Sequence, residues 1–324
     1  MKVIKQTTGY ISTATRVLLA AVLLLMGCVE RELEMRPLYG DGTAEISLDW
    51  GGLSNPPQSA RCLFYNEAGQ LVKEIKGVTD VVEQTLYSGR YHLIVYNEDG
   101  RQVSYRGTES YETAEVFALP STDIRAADLP CILEPQATYG TGTCRDGEWL
   151  VIKPGKTTRA TVAPEALTRQ VQVHFVVKGG LKVKVLTGVL NGVASSALLA
   201  TGEIGSSERC ALNFIAVISQ SLQDGVVDVG RITAELNVFN LLVSPDCPAG
   251  TATTDLVLID DADTRYDTSI DLTSVLKEIM LENGGTIPKE VSVEITIKKT
   301  VGDITSTVRP WDDSGTGGGG PTWD

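Results

Sequence analysis

The sequence is poor in the residues from which most catalytic sites are built. It holds two histidines among 324 residues, His92 and His174. Each lies in a segment of alternating polarity, on the face opposite the main apolar set, which favours packing against a sheet over catalysis. Acid–base enzymes most often use histidine or a tuned carboxylate pair. Because GxSxG, HExxH, P-loop and helix-opening GxGxxG motifs are also missing, we predict that the protein is not an enzyme and needs no cofactor.

Cysteine is scarce as well, and no CxxC pair occurs, which disfavours a zinc or redox site. Apart from Cys28 in the N-terminal region, five cysteines remain, so at least one is unpaired or pairs between chains. Cys131 and Cys144 are near enough in sequence to bridge a loop, and buried reduced thiols are the alternative. The five are Cys62, Cys131, Cys144, Cys210 and Cys247.

The N-terminal apolar run is too short to cross a membrane. Residues 17–26 are ten uncharged apolar residues, whereas a transmembrane helix needs about 20. The run follows Lys2, Lys5 and Arg16 without any acidic residue before it. This layout predicts a secretory signal that covers residues 1–27.

The end of this signal, Leu25-Met26-Gly27-Cys28, resembles the bacterial lipobox. In such signals the chain is cut before the cysteine, whose thiol carries diacylglycerol. We therefore predict that Cys28 is the lipid attachment site, with an ordinary signal peptide and a chance cysteine as the alternative. Two or three acyl chains anchor a protein durably, so the expected location is the outer membrane at the cell surface.

Positive charge is also in short supply. Without residues 1–27 the chain has 25 basic and 41 acidic residues, a formal charge of −16. This balance disfavours nucleic acid as a partner. The acidic run at Asp260, Asp261 and Asp263 supplies oxygen ligands that suit calcium, but the EF-hand pattern is missing and a solvated turn is the favoured interpretation.

Short alternating segments dominate the rest of the chain and predict an all-β protein. In residues 44–50, Ile46, Leu48 and Trp50 alternate with polar residues, and residues 90–96 and 169–178 repeat that pattern. Turn residues separate the segments at the spacing of a sandwich or barrel. The pattern pauses at residues 164–167, which predicts two tandem β-sandwiches.

The predicted division is a signal peptide, a tether, two domains and a tail. Their limits are residues 1–27, 28–42, 43–166, 167–311 and 312–324. One short helix is predicted in the second domain over residues 272–283, with Asp271 as its cap and an apolar face that includes Leu276 and Met280. Four consecutive glycines predict that the tail is flexible.

Three stretches resemble the fimbrillin-like surface lipoproteins of Bacteroidales. They are SGRYHLIVYN at 88–97, the segment 166–203 with its Gly-Val-Ala-Ser sequence, and YDTSIDLTSVLKEI at 266–279. The resemblance covers most of residues 43–311. It implies two transthyretin-like Greek-key sandwiches and, by analogy with fimbrial subunits, assembly with other subunits by addition of a β-strand.

The family resemblance also implies protease processing after an arginine, for which Arg31 and Arg36 are the candidates. Arg36 precedes Pro37, a bond that trypsin-like enzymes cut poorly. This favours an uncleaved fimbrial anchor or accessory subunit that keeps its lipid. The alternative is a glycan-binding surface lipoprotein of a polysaccharide-uptake system, which needs a platform of exposed aromatic rings. Aromatic residues make up 6% of the chain, so this signal is thin.

We expect mass spectrometry of the mature protein to find an acylated N-terminus at Cys28. Cys28→Ala is expected to release the protein from the membrane fraction, because the lipid is its predicted attachment. Cys247→Ala serves as the matched control and leaves the protein membrane-bound. An unacylated N-terminus at another residue contradicts the prediction.

Overall fold

The computed structural model describes residues 40–51, 53, 56–122, 129–142, 144, 149–223 and 226–311. The predicted signal peptide, Cys28, Arg31, Arg36 and the tail lie outside these residues. Among the helices within them, none has the length and apolar character that a membrane crossing requires.

The described chain is built from short strands and one short helix, which confirms the all-β prediction. Strands in the first part are β1 (Asp41–Leu48), β2 (Ala60–Tyr65), β3 (Leu71–Val78), β4 (Val81–Tyr87), β5 (Gly89–Asn97), β6 (Val103–Arg106), β7 (Glu115–Ala118), β8 (Cys131–Ile132), β9 (Tyr139–Thr141), β10 (Leu150–Ile152), β11 (Thr157–Val162) and β12 (Glu165–Ala166).

The second part continues with longer strands. They are β13 (Arg169–Lys178), β14 (Val183–Ala194), β15 (Ser196–Leu198), β16 (Arg209–Ile215), β17 (Val217–Gln223), β18 (Val226–Val238), β19 (Thr253–Asp260), β20 (Arg265–Asp271), β21 (Glu290–Lys299) and β22 (Ile304–Pro310), with α1 (Thr273–Glu282) between β20 and β21.

The first sandwich packs a three-stranded sheet against a six-stranded one. Sheet I has the order β11-β1-β4, and sheet II has the order β12-β9-β5-β2-β3 with β10 beside β5. Their facing side chains form one apolar cluster, which includes Ile46 and Val82 from sheet I and Phe64 and Leu93 from sheet II. The burial of these side chains is the main force that holds the two sheets together.

The second sandwich has two five-stranded sheets. Sheet III has the order β17-β18-β13-β21-β22, and sheet IV has the order β20-β19-β14-β16-β8. As predicted, Val171, Val173 and Phe175 of β13 alternate into the core, where at most 5% of each is exposed. Strand β13 lies at the centre of sheet III, antiparallel to β18 and parallel to β21.

Two short strand pairs cross the predicted domain division at residue 167. Strand β8 adds to sheet IV through a parallel pair with β16, and β7 pairs with β15 in a sheet of the order β15-β7-β6. The other strand pairs join strands from the same side of residue 167. The domain limits therefore remain a prediction, although β1 begins at Asp41, two residues inside the predicted tether.

The central strands β2 and β5 of sheet II are buried on both faces, which the alternating pattern of β5 does not predict. Cys62, Phe64 and their neighbours face sheet I, whereas Ile94 and Tyr96 belong to the larger cluster that contains the core of the second sandwich. Every residue of β5 from Tyr91 to Asn97 is buried. A strand with two buried faces carries an almost continuous apolar run rather than strict alternation.

The helix lies within one residue of its predicted limits at each end. The N-cap residue is Leu272, which makes no side-chain cap bond, so Asp271 is not the cap that the sequence predicts. Asp271 lies one residue earlier and accepts a hydrogen bond from the backbone N–H of Thr273 at 2.9 Å, which satisfies one of the free donors at the helix start. Leu276 and Met280 are buried on the predicted apolar face. Gly284 and Gly285, both with positive φ, end the helix.

The cysteines within the described chain contribute mainly to packing. Cys62, Cys131 and Cys210 are buried free thiols, and Cys247 is a half-buried one. Cys131 is therefore not bridged to Cys144, and for Cys131 the alternative of a buried reduced thiol is confirmed. Burial raises the pKa of the Cys62 thiol to about 12, so this cysteine is neutral and unreactive at ordinary pH.

Strands β21 and β22 are tied together by a partly buried ion pair. Glu294 is 6% exposed and accepts hydrogen bonds from Nε and Nη2 of Arg309 at 2.9 and 2.7 Å. These bonds hold the pKa of Glu294 below its ordinary value, even though burial opposes the charged form. The pair therefore stabilises the fold only while Glu294 is ionised.

We expect Glu294→Gln to lower the free energy of unfolding by about 1 kcal/mol at pH 7. Because the folded-state pKa is depressed, this contribution is present above the ordinary value and is lost as the pH falls through the folded-state value. Urea unfolding should therefore show the gap between variant and original protein closing in acid. Glu290→Gln, at an exposed position of the same strand, should show no such gap.

Candidate functional site: the slot of the first strand

The predicted processing region leads directly into sheet I. The described chain begins at residue 40, four residues after Arg36, and β1 begins at Asp41. Both candidate arginines precede β1, so a cut after either would leave β1 attached to the rest of the chain. The candidate site for strand addition is therefore the space that β1 occupies between β4 and β11, which we call the slot.

Strand β1 bonds through its backbone to neighbours on both sides. Towards β4, an antiparallel partner, Leu48 N–H donates to Asp80 O at 2.7 Å and Ser88 N–H donates to Gly40 O at 3.1 Å. Towards β11, a parallel partner, Thr43 N–H donates to Lys156 O at 2.9 Å. The backbone N–H and C=O groups of the even-numbered residues of β1 therefore point towards β4. Those of the odd-numbered residues point towards β11.

The side chains of β1 alternate strictly between core and surface. Ala44 and Ile46 are fully buried and Leu48 is 8% exposed, so the strand supplies a row of apolar groups to the cluster between sheets I and II. Gly42 continues this row, because a Cβ there would lie 2.4 Å from Lys153 O. The slot is therefore narrow at the N-terminal end of β1 and accepts larger side chains further along.

The outward face of the same strand is polar. Glu45 accepts a hydrogen bond from Arg159 Nε of β11 at 3.0 Å and lies opposite Glu83 of β4. The exposed ion pair adds little stability, while like charges opposite each other oppose pairing. The slot is therefore held by backbone bonds and buried apolar side chains, which is how an extended peptide is generally bound in a sheet.

The two histidines serve as stacking partners for aromatic rings. His92 stacks on Tyr111, with ring centres 4.2 Å apart, and lies 3.7 Å from the ring centre of Trp149. His174 stacks on Trp311 at 4.1 Å. Both positions agree with the predicted packing role.

The calcium candidates form a closed turn. Asp260 is 2% exposed, and it accepts from the N–H groups of Ala262 and Thr264 and from Lys299 Nζ. Desolvation alone would raise the pKa of Asp260, but these donors outweigh it and lower the pKa. Asp263 instead pairs with Lys184 at 2.5 Å. Across the described chain, no group of three or more His, Cys, Asp or Glu side chains is placed to hold a metal ion.

Sequence reasoning found β1 but not its neighbours. The alternation of residues 44–50 indicates a half-buried strand, whereas its parallel pairing with β11 joins residues more than a hundred positions apart. No local pattern encodes such a pair. The nearest sequence signal is Gly42, since glycine inside a strand often marks a close approach of another backbone.

The chain matches one family model and a curated relative. A family described as a domain of unknown function, DUF5119, matches residues 27–214. A Bacteroides ovatus protein provisionally named fimbrium anchoring subunit Fim4B is 37% identical over 105 residues, which make up 31% of this chain and 30% of that protein. The match thus spans less than a third of that relative's length.

Solved structures share the fold at low identity. A crystal structure of a provisionally assigned adhesin from Bacteroides ovatus is 20% identical, with a TM-score of 0.54 over 73% of this chain and 84% of that chain. Another, from Bacteroides thetaiotaomicron, is 13% identical, with a TM-score of 0.53 over 84% and 97% of the two chains. Together with the curated relative, these likenesses confirm the predicted resemblance to Bacteroidales fimbrillin-like proteins.

We expect Ile46→Ala to lower the free energy of unfolding by about 2–5 kcal/mol, because it removes a fully buried side chain from the slot. Ser47→Ala, on the outward face of the same strand, should change it by less than about 0.5 kcal/mol. Denaturant unfolding monitored by tryptophan fluorescence measures both. Equal effects would contradict a slot held by buried side chains.

Proposed function

This chain belongs to the DUF5119 family, a domain of unknown function, and from that premise we propose that it is a cell-surface fimbrial anchor or accessory subunit. In this proposal, lipid at Cys28 holds it to the outer membrane, and it joins other fimbrial subunits by β-strand addition. The name of the Bacteroides ovatus relative supports anchoring, and the fold shared with a provisionally assigned adhesin is compatible with it.

The observation that carries the proposal is the position of β1. The first strand of the described residues pairs with a neighbour on each side, and it directly follows the segment that contains the predicted lipid site and both candidate cleavage sites. A load on the tether therefore acts on a strand that pairs with β4 over residues 41–47 and with β11 over residues 43–48. Such an arrangement suits an anchor.

Anchor and shaft roles differ in what happens to the tether. Cleavage after Arg31 or Arg36 would remove Cys28 together with its lipid and leave β1 in the slot, since β1 begins at Asp41. A cleaved chain would thus lose the membrane without opening the slot. The proposal is therefore that the chain stays uncleaved, with its lipid retained and the slot closed by β1.

Catalysis has no place in this function. Strand addition satisfies the open N–H and C=O groups of a sheet edge and needs no reactive side chain. The names of the relatives describe anchoring and adhesion. The glycan-binding alternative requires accessible aromatic faces, but Trp149 already contacts the guanidinium of Arg90 at 4.2 Å and the ring of His92 at 3.7 Å.

We expect surface filaments purified with mild detergent to carry this subunit at one end, with an N-terminus at Cys28. Arg31→Ala and Arg36→Ala should leave filament attachment unchanged, because an anchor is not processed there. Cys28→Ala should release filaments into the medium. Immunogold labelling and N-terminal mass spectrometry provide the measurements.

Two results would count against this function. Chains that begin only after Arg31 or Arg36, spread along the filament shaft, would replace the anchor role with a shaft role. If no other subunit co-purifies while the intact protein binds oligosaccharides, the glycan-binding alternative takes its place.

A further inference from the structure

Sheet I has an open edge along β4. Within the described residues, β1 is the only strand that pairs with β4, so one side of β4 lacks a neighbouring strand. The strand runs over seven residues, Val81–Tyr87, and its outward side chains are exposed, with Val81 at 55% and Tyr87 at 72%. Large apolar side chains along an unpaired edge are typical of a surface that binds another strand.

The register shows which backbone groups of β4 are open. Leu48 N–H bonds Asp80 O and Ser88 N–H bonds Gly40 O, so the residues of β4 that bond β1 are the even-numbered ones. The N–H and C=O groups of the odd-numbered residues therefore point away from β1. One of these carbonyl oxygens, that of Thr85, accepts a hydrogen bond from the exposed side-chain amide of Gln84 at 2.6 Å. The open set is Val81, Glu83, Thr85 and Tyr87.

Three edge strands of the other sheets carry features that hinder pairing. Strand β3 has exposed lysines at positions 73 and 76 and two register irregularities against β2. Strand β22 ends in Pro310, and β20 carries the exposed ion pair Arg265–Asp267. Lysine, proline and bulges are the usual means by which proteins protect sheet edges. Strand β4 contains no lysine, proline or glycine, and no irregularity appears in its pairing with β1.

We propose that β4 is a self-association surface that pairs antiparallel with β4 of a second copy of this chain. The two-fold axis passes between the two Gln84 residues. In this register Val81 lies opposite Tyr87 of the second copy, and Glu83 lies opposite Thr85. All four open residues then exchange backbone hydrogen bonds, and sheet I becomes a continuous six-stranded sheet of the order β11-β1-β4-β4-β1-β11.

The side chains select this register. Antiparallel pairing must match odd-numbered with odd-numbered residues, because only these have open backbone groups. Shifting the axis to position 83 would oppose two Glu83 carboxylates, and shifting it to position 85 would leave Val81 without an open partner. The axis at position 84 uses every open residue, opposes no like charges, and forms two pairs between an aromatic and a β-branched side chain, which stabilise sheets.

The proposed register predicts whether a charge introduced at position 85 weakens or strengthens the dimer. Thr85 can donate its hydroxyl hydrogen to Glu83 of the second copy, so a charge placed at position 85 directly opposes that carboxylate. A single strand pair buries little surface compared with standard protein interfaces, which bury about 1,200–2,000 Å². The dimer is therefore expected to dissociate on dilution, which allows its dissociation constant to be measured.

The first experiment is sedimentation equilibrium of the purified full chain at low salt, where charges are least screened. Thr85→Glu is expected to raise the dimer dissociation constant about 2- to 30-fold, because it creates two like-charge pairs. Thr85→Lys is expected to lower it by a similar factor. Thermal unfolding of both variants, at an exposed position, verifies that they fold. A monomer at all concentrations, or the same direction of change in both variants, overturns the proposal.

The second experiment uses disulfide trapping to test the axis. In a chain with Cys247→Ser, Gln84→Cys places two thiols opposite each other at a non-hydrogen-bonded pair, where Cα atoms are about 4.5 Å apart. Mild oxidation should give a covalent dimer. Glu83→Cys is the matched control, because its thiols lie diagonally at about 7–8 Å, and it should stay unlinked. Efficient linking at position 83 instead of position 84 would refute the register.

Discussion

The parallel contact between β1 and β11 is the constraint on which the first sandwich depends. It joins Thr43–Leu48 to Thr157–Val162, two segments more than a hundred residues apart in the sequence. Bringing the ends of such a loop together costs conformational entropy, which grows slowly with loop length. Buried Ala44 and Ile46 and backbone bonds along both sides of β1 offset that cost. The first strand of the described residues is thus also the central strand of sheet I.

The position of β1 within sheet I determines how the sheet would bear a force applied through the N-terminus. A chain that is anchored through its N-terminus transmits force along the tether into β1. Because β1 has β4 on one side and β11 on the other, several backbone hydrogen bonds and a buried row share that force. A strand at the edge of the sheet would peel away one bond at a time. The central position of β1 is therefore compatible with an anchoring role, whereas the adjacent β4 edge remains open to a partner.

Sheet II connects the two halves of the molecule. Its one face packs on sheet I, and residues of its other face, such as Tyr65 and Tyr96, join the cluster that contains Val171 and Leu236 of sheet III. Tyr65 also donates its hydroxyl hydrogen to Thr108 O at 3.0 Å. A change in one half is thus felt through packed side chains rather than through a flexible linker. Close-packed interiors transmit such changes because they contain few voids.

Local features were predictable from the sequence because they depend on neighbouring residues. The alternation of β13, the helix of residues 273–282 with its aspartate at the start, and the all-β class all follow from periods of two or 3.6 residues and from turn chemistry. Only the tertiary structure decided that β1 lies between β4 and β11, that β5 is buried on both faces, that Asp260 bonds Lys299, and that β4 has an open edge. These features depend on which distant segments meet. The local period of a strand shows which of its side chains are buried, but it does not show which strands pair with it on either side.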